Sequence, residues 1–379
     1  MIFGTVIHAE HTDKAIMMAK SIKKHMPNGK VIIGVMEETM PNAAFGCPYF
    51  DEVVLMKDTD AYSNMKKFFF QYTLQEAQRA CKALLVNYIY KKYTNEIAIH
   101  YLDADTWVIS PFEELADGFN QHPITLIGKV IDPEFLDLDW LTDVRKNGIY
   151  DSSFMSFKRH AVTESFLKCW LKLSGNNCYY DQAIHNFIDQ GWLDQSHTLF
   201  DGVFSLRDAG YQVSHSNLME RWDISKTAPY TYSIGNRPLR SIRISNDFEL
   251  AISWIEHEKG QLYGELIEEY RNEWIEIERY TAASSTWSYS HFTSGEMIAD
   301  QTRGKFRMHY YDNSEVENPF LLSNGYFHSE SLSTDVMDQP TPYYADEPDR
   351  IKHRNFTVKK RRARRKLRKP IRKKRRLSY

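Results

Sequence analysis

Cysteine is scarce: four residues in 379 (Cys47, Cys81, Cys169 and Cys178), with no C-x-x-C pair and no regular spacing. That excludes a disulfide framework and suits reduced, structural thiols in a cytoplasmic protein. Long apolar runs are lacking too, and none approaches the roughly 18 to 20 residues that span a bilayer. The opening MIFGTVIHAEHTDK has a short apolar part and no basic n-region, so no secretory leader is expected. Internal repeats are absent.

Aromatic residues are plentiful at 14 %, with 8 Trp, which suits a sizeable core and a cleft that stacks rings. The formal net charge of -2 conceals a division along the chain. Residues 352–379 hold 16 of the 48 Lys and Arg and no acid, leaving 32 against 50 acids upstream. A body near -18 thus carries a tail near +16, a property of partners and not of fold. Within the tail, KKRRARRKLRKPIRKKRR has 14 basic residues in 18. Its self-repulsion and want of apolar surface keep it from folding alone.

The remainder reads as alternating strands and helices. Residues 2–9, 31–35 and 52–56 are strand-like, and 14–26 is a helix ended by Pro27-Asn28-Gly29. Residues 71–93 form a second helix with Leu74, Ala77, Cys81, Leu84, Leu85 and Ile89 on one face, so Glu76 and Lys82 fall off the stripe and read as surface charges. A strand over 148–158 and a helix over 161–173 follow. Residues 255–280 predict a long helix with Leu262, Leu266, Tyr270, Trp274 and Ile277 near one face, and 331–350 has a linker's composition. This β-α-β order predicts parallel strands in an open sheet covered on both faces, with ligands beyond the carboxyl ends of the strands.

One stretch stands at such an end. Residues 97–110, IAIHYLDADTWVIS, are an apolar run that delivers Asp103 and Asp105. If extension continued through them, both would point the same way and share one target. Two converging carboxylates stay ionised together around a cation, and hard divalent ions take oxygen ligands. A capped turn with solvated acids is the plainer alternative.

Five segments in order make the chain resemble bacterial GT-A-type glycosyltransferases of the nucleotide-diphospho-sugar transferase superfamily, with kinship to the glycogenin-like group. They are QEAQRACKALLVNYIY, YLDADTWVISPFEEL, GIYDSSFMSFK, DQGWLDQSHTLFDGVFSLRDAGYQVSHSNLMER and HFTSGEMIADQTRGKFR. The resemblance covers residues 1–320 or so. It implies a GT-A-like open, mostly parallel Rossmann-type sheet with flanking helices and a helical C-terminal extension, to which the composition adds a disordered basic tail. The expected divisions are a nucleotide-sugar-binding and catalytic domain over 1–235, an acceptor-side portion over 236–330, a linker over 331–351 and the tail over 352–379.

The resemblance also implies roles. Asp103 and Asp105 would hold Mn²⁺ or Mg²⁺ against the diphosphate of a sugar-nucleotide donor, expected to be a UDP-sugar, with His291 as a third metal contact. Thr5, Val6 and Ile7 would meet the base and ribose, and Lys82 would lie near the phosphates. Ser152 and Ser153 fall where the family has Asn-(Ser or Gly)-Gly, with Asp151 in place of the Asn. Two Asp-Gln pairs compete for the place beneath the donor sugar, Asp181-Gln182 and Asp189-Gln190. The second is preferred because it runs without a gap into GWLD and LFDG. Arg303 and Arg307 would meet diphosphate or an acidic acceptor, or be ordinary surface arginines.

The implied reaction is transfer of a sugar to a cell-envelope glycan, glycolipid or similar lipid-linked acceptor. The tail would attract an anionic membrane surface and set the enzyme at the inner face of the membrane. Nucleic acid fits the tail less well, because it lacks interleaved aromatics. Two other readings stand beside the transferase: a polyanion-binding protein with an inactive transferase body, and a phosphohydrolase using LDADT as a DxDxT motif, with Asp103 as nucleophile and Asp105 as acid/base.

Overall fold

The computed structural model describes residues 1–135, 138–181, 186–187, 190–229, 231–244, 260–281 and 286–328. Met1–Glu330 form one compact unit. Its centre is a seven-stranded sheet built from β1 (Ile2–Ile7), β2 (Lys30–Val35), β3 (Glu52–Leu55), β4 (Ala98–Leu102), β6 (Ile124–Gly128), β7 (Tyr150–Lys158) and the strand Val203–Leu206. β5 (Thr106–Val108) lies outside it. From one edge the order is Val203–Leu206, β6, β7, β4, β1, β2, β3. Every neighbouring pair is parallel except those of β7, which runs antiparallel to β4 and β6.

β1 reads IFGTVI and is buried along its whole length, as an apolar run in the middle of a doubly covered parallel sheet should be. Helix α1 (Thr12–His25) covers one face, and α3 (Leu74–Lys92) the other. Gly4 sets how closely α3 approaches. A Cβ there would stand 2.8 Å from Cδ1 of Ile89 and 3.3 Å from Cδ2 of Leu85. α3 begins with a reciprocal cap: Oγ1 of Thr73 accepts from the Glu76 amide, and Glu76 Oε2 accepts from the Thr73 amide at 2.9 Å. Glu76 is therefore buried at a helix start, and Lys82, one and a half turns on, is 1 % exposed. Neither is the surface charge that the helical periodicity suggested.

The C-terminal part is tied to the sheet at two places. Helix Gln261–Thr281 packs Tyr263, Leu266, Ile267 and Tyr270 with Met17 and Trp107, and Nε1 of Trp274 donates to Asp13 at 2.7 Å. Its apolar face is the one predicted; residues 255–259, part of the expected helix, lie outside the described set. Residues 286–328 close over helix α2 (Met65–Phe70), where Phe69 stacks on Tyr289 with centroids 4.1 Å apart and Phe70 meets Phe292, Phe306, Phe320 and Phe327. Among the described residues no helix is long and apolar enough to cross a membrane.

Arg303 holds this closure. It is buried, and its guanidinium donates to the carbonyls of Phe70 (2.9 Å), Tyr72 (2.8 Å) and Tyr289 (2.7 Å) while facing the Trp287 ring. Arg307 donates to the Gln71 carbonyl at 2.8 Å and lies over Tyr179 at 3.9 Å. Both brace the fold, and neither is the ordinary surface arginine that was the alternative reading. Arg303→Met would take this donor from four buried carbonyls, that of Phe69 at 3.4 Å included. A loss of about 3 kcal/mol in unfolding free energy is expected from urea titration; a loss below about 1 kcal/mol would deny Arg303 this role.

Candidate functional site

The carboxyl end of β4 does not stay extended. Asp103, Ala104 and Asp105 form a turn in which the Thr106 amide donates to the Asp103 carbonyl at 3.0 Å. The strand pleat therefore does not aim the two carboxylates together. A second chain segment does. Strand Ser241–Arg243 pairs antiparallel with β5, placing Arg243 opposite Thr106.

Asp103 is 9 % exposed and fully engaged on one oxygen, with Oδ1 2.9 Å from Lys82 Nζ and accepting from the Tyr101 hydroxyl at 2.9 Å. Lys82 also donates to the Ser152 carbonyl at 3.0 Å, and Arg79, one turn earlier on α3, donates to Ser152 Oγ at 2.9 Å. Burial pushes the Asp103 carboxyl up, but Lys82, Arg79 and Arg243 outweigh it and hold the group below the ordinary value.

Asp151 arrives through a register break. Leu126 of β6 pairs with Met155 of β7, but the next residue, Ile127, pairs with Asp151, so residues 152–154 bulge out of that ladder. The Asp103 amide donates to the Ser153 carbonyl at 2.8 Å, which fixes the bulge against the turn. Burial again opposes ionisation of Asp151, yet Arg243 and the Ser153 bonds bring its pKa down to about 2.

Arg243 faces all three acids. Its Nε donates to Asp105 Oδ2 at 3.2 Å, its Nη1 lies 3.6 Å from Asp151 Oδ2, and its Nη2 lies 4.0 Å from Asp103 Oδ2. The rim continues with His8, His11 and Lys14 beyond β1. The His8 and His11 rings meet at 4.1 Å with their planes tilted by 53°, and burial with Lys14 nearby lowers His11 to about 3, so it is neutral at physiological pH. Burial also lowers Lys14, opposed by Asp105 and Asp13. Gln212 adds a strained position: its φ is 52° although it is buried and not glycine, and its Nε2 donates to Thr106 Oγ1 at 3.3 Å.

The residues named from the sequence thus fare differently. Asp103, Asp105, Lys82 and Ser152 come together, with Ser153 in the same bulge. Thr5, Val6 and Ile7 are wholly buried inside the sheet. Beyond the strand's last residue, Glu10 is exposed and Ala9, His11 and Lys14 are partly so. His291 bonds Ser290 Oγ through Nδ1 at 2.7 Å. Among the described residues no group of three or more His, Cys, Asp or Glu could hold a metal ion. Asp189 lies outside the described residues, and of Asp181 and Gln190 only the backbone is described, in a short strand and a short helix. Arg243, Arg79, His11 and Gln212 were missed. Arg79 alone had a local signal, its i, i+3 spacing from Lys82 on one helix.

A divalent cation fits this donor set in part. Asp105 Oδ1 is buried with no hydrogen-bond partner, the kind of oxygen a hard cation satisfies, and Asp103 Oδ2 and Asp151 Oδ2 lie around the same guanidinium.

The strand bearing Arg243 is itself anchored by its neighbour. Arg240 binds Glu114 through two nitrogens, at 2.9 Å and 2.6 Å, and the Tyr211 hydroxyl donates to the same carboxylate at 2.9 Å. Burial raises the Glu114 pKa, but these bonds more than reverse it and leave it below 4.5. The stabilisation is therefore complete above that value and lost as pH falls through the lower, folded one. Glu114→Gln should cost about 1 kcal/mol near neutral pH. The gap between the two proteins in urea unfolding should narrow in acid, and a constant gap would contradict a pair that favours the ionised carboxylate.

No protein-family model matches the chain, and no curated protein matches it. Solved structures that resemble it include galactosyltransferase LgtC in complex with donor and acceptor sugar analogs, at 13% identity and a TM-score of 0.43, covering 74% of this chain and 100% of that one. Mouse xyloside xylosyltransferase 1 resembles it at 11% identity and a TM-score of 0.40, over 65% of this chain and 99% of that one. The glycosyltransferase GlyE of Streptococcus pneumoniae TIGR4 does so at 12% identity and a TM-score of 0.36, over 77% and 66%. Likenesses this distant leave the chemistry to be read from the chain's own side chains.

Proposed function

We propose that the chain is a glycosyltransferase of GT-A type that moves a sugar from a nucleotide-diphospho-sugar, most simply a UDP-sugar, to a glycan or lipid-linked acceptor. The observation that carries this reading is the meeting of Asp103, Asp105 and Asp151 with Arg79, Lys82 and Arg243 at the carboxyl end of a parallel strand, where open α/β sheets bind ligands. In this reaction the anomeric carbon–oxygen bond breaks, charge builds on the leaving diphosphate, and an acceptor hydroxyl takes the sugar.

Mn²⁺ or Mg²⁺, when bound, would act as Lewis acid toward the diphosphate oxygens, held by Asp103 and Asp105. The chain's own part is positional. Lys82 fixes Asp103, the 152–154 bulge fixes Asp151, and Arg79 and Lys14 set positive charge at the rim. Asp189, with Asp181 as the alternative, is the proposed group beneath the donor sugar. The phosphohydrolase reading asks Asp103 for a free attacking oxygen, whereas Lys82 and Tyr101 occupy Oδ1 and Lys82 also reaches Oδ2 at 3.2 Å.

Calorimetric titration with UDP, GDP and CDP, with Mn²⁺ or with EDTA, tests the donor site. Binding should require metal and weaken at least tenfold in Asp103→Asn, about 1.4 kcal/mol. Silence with all three nucleotides in the presence of Mn²⁺ would sink the transferase reading and leave the polyanion-binding one.

The basic residues of 352–379 are the proposed membrane contact, worth about 1 kcal/mol for each one near an anionic surface. A chain ending at residue 351 should lose co-sedimentation with phosphatidylserine vesicles yet still transfer sugar to a soluble acceptor. Undiminished sedimentation would rule the tail out as the anchor.

A further inference from the structure

We propose that Gln212 is a positioning residue of the candidate donor site: it is the spacer that sets the turn after β4, the bulge of β7 and the strand bearing Arg243 at fixed distances from one another. The inference rests on the donor-site reading above for what the spacing serves, and it adds the residue that holds it.

Three bonds run from Gln212 to these three segments. Its amide donates to Ser241 Oγ at 3.0 Å, its Nε2 donates to Thr106 Oγ1 at 3.3 Å, and its Oε1 accepts from Ser153 Oγ at 3.5 Å. Each partner stands within two residues of a charged group of the site. Thr106 follows Asp105, Ser153 comes two after Asp151, and Ser241 comes two before Arg243. Gln212, Thr106, Ser153 and Ser241 are all buried. Of residues 151–154 only Asp151 keeps partly exposed surface, so whatever fixes the bulge aims that carboxylate.

The backbone of Gln212 is the costly part. At a φ of 52° a residue with a Cβ is strained, and asparagine or glycine sits there more easily than glutamine. What glutamine has over both is reach, since an asparagine amide is one methylene short of the gap between Thr106 and Ser153. The strain is borne by the neighbours and not by the side chain's own long bonds. The Gln212 carbonyl accepts from Asn217 Nδ2 at 2.9 Å. The Val213 amide donates to the Ser241 carbonyl at 3.0 Å, and the Arg243 amide returns to the Val213 carbonyl at 2.7 Å. A Cβ on Gly210 would stand 1.9 Å from the Pro238 carbonyl oxygen, so this segment lies hard against the chain that leads to Arg243. A braced backbone that accepts strain in order to carry one side chain fits a positioning role.

Hydrogen–deuterium exchange and thermal unfolding of the full chain test this with two variants. Gln212→Met keeps the length and loses the amide, whereas Gln212→Asn keeps an amide and loses the reach. The reporters are the amides of Asp103, Thr106 and Ser153, which donate to the Ser153 carbonyl, the Asp103 carbonyl and Asp151 Oδ1. Both variants should exchange about tenfold faster at these reporters and at the native rate in β1 and β2. Gln212→Asn should melt no lower than Gln212→Met, because asparagine tolerates the positive φ, yet it should not recover the protection. In a merely structural role the two measures move together, and the more stable variant is the better ordered.

Unaltered exchange in both variants, or exchange raised equally throughout the sheet, would overturn the proposal. Should Gln212→Met fail to fold, Gln212→Asn decides alone by the same criterion. UDP is then titrated into the same samples as into the native chain. Its affinity should fall about tenfold in both variants, because a loosened site must be ordered again on binding. Loosened reporters with UDP bound as tightly as by the native chain would also overturn the proposal. Loosened reporters in a protein whose native form binds no UDP uphold the spacing role and sink the transferase reading. UDP binding by the native chain, with unaltered exchange in the variants, does the reverse.

Discussion

The ion pair between Lys82 and Asp103 constrains everything around it. An ammonium 1 % exposed on α3 is tolerable only with a carboxylate and further acceptors in reach, and the Asp103 carboxylate and the carbonyl of Ser152 meet that need. This sets the height of α3 on the sheet, where Gly4 lets Ile89 and Leu85 approach β1. It also sets the turn after β4 and the bulge in β7, because Asp103 and Ser152 must both reach one nitrogen. A site built this way has fixed geometry before any ligand arrives, which is what positional catalysis requires.

Around that fixed pair the structure arranges groups with more freedom. Arg243, Lys14 and the neutral His11 stand at the rim, on segments supported from behind. Arg240 and Glu114 anchor the Arg243 strand, and the 286–298 segment reaches the end of β2, where Nε1 of Trp287 donates to the Met36 carbonyl at 2.8 Å. Glu37 joins the two sides, accepting from the amides of Ala9 and Ser288, each at 2.9 Å. The C-terminal segment thus braces the same strand ends that bear the candidate site, and Arg303 fastens it to α2.

Much of the scaffold was legible in the chain. β1, β2, β3, β4 and α3 follow from apolar runs and helical spacing, signals that depend on residues close in sequence. The DAD stretch was legible as a candidate site for the same reason. The roles of Glu76 and Lys82 were not. Helical spacing shows that they lie off the apolar stripe but not that a neighbouring strand covers them. Arg303 failed likewise: its acceptors are carbonyls more than two hundred residues away, at Phe70 and Tyr72.

The sequence by itself determined the alternation of elements, the carboxylates at the end of β4 and the opposed charges of body and tail. Those are encoded in composition and short-range periodicity. Only the tertiary structure decided that the DAD segment turns, that Thr5, Val6 and Ile7 are core, and that Arg243 closes the group. The pairing of 106–108 with 241–243 spans well over a hundred residues, and the β7 bulge depends on both neighbouring strands at once. Such contacts are selected by packing and by the need to match buried charges, and no window of local sequence contains them.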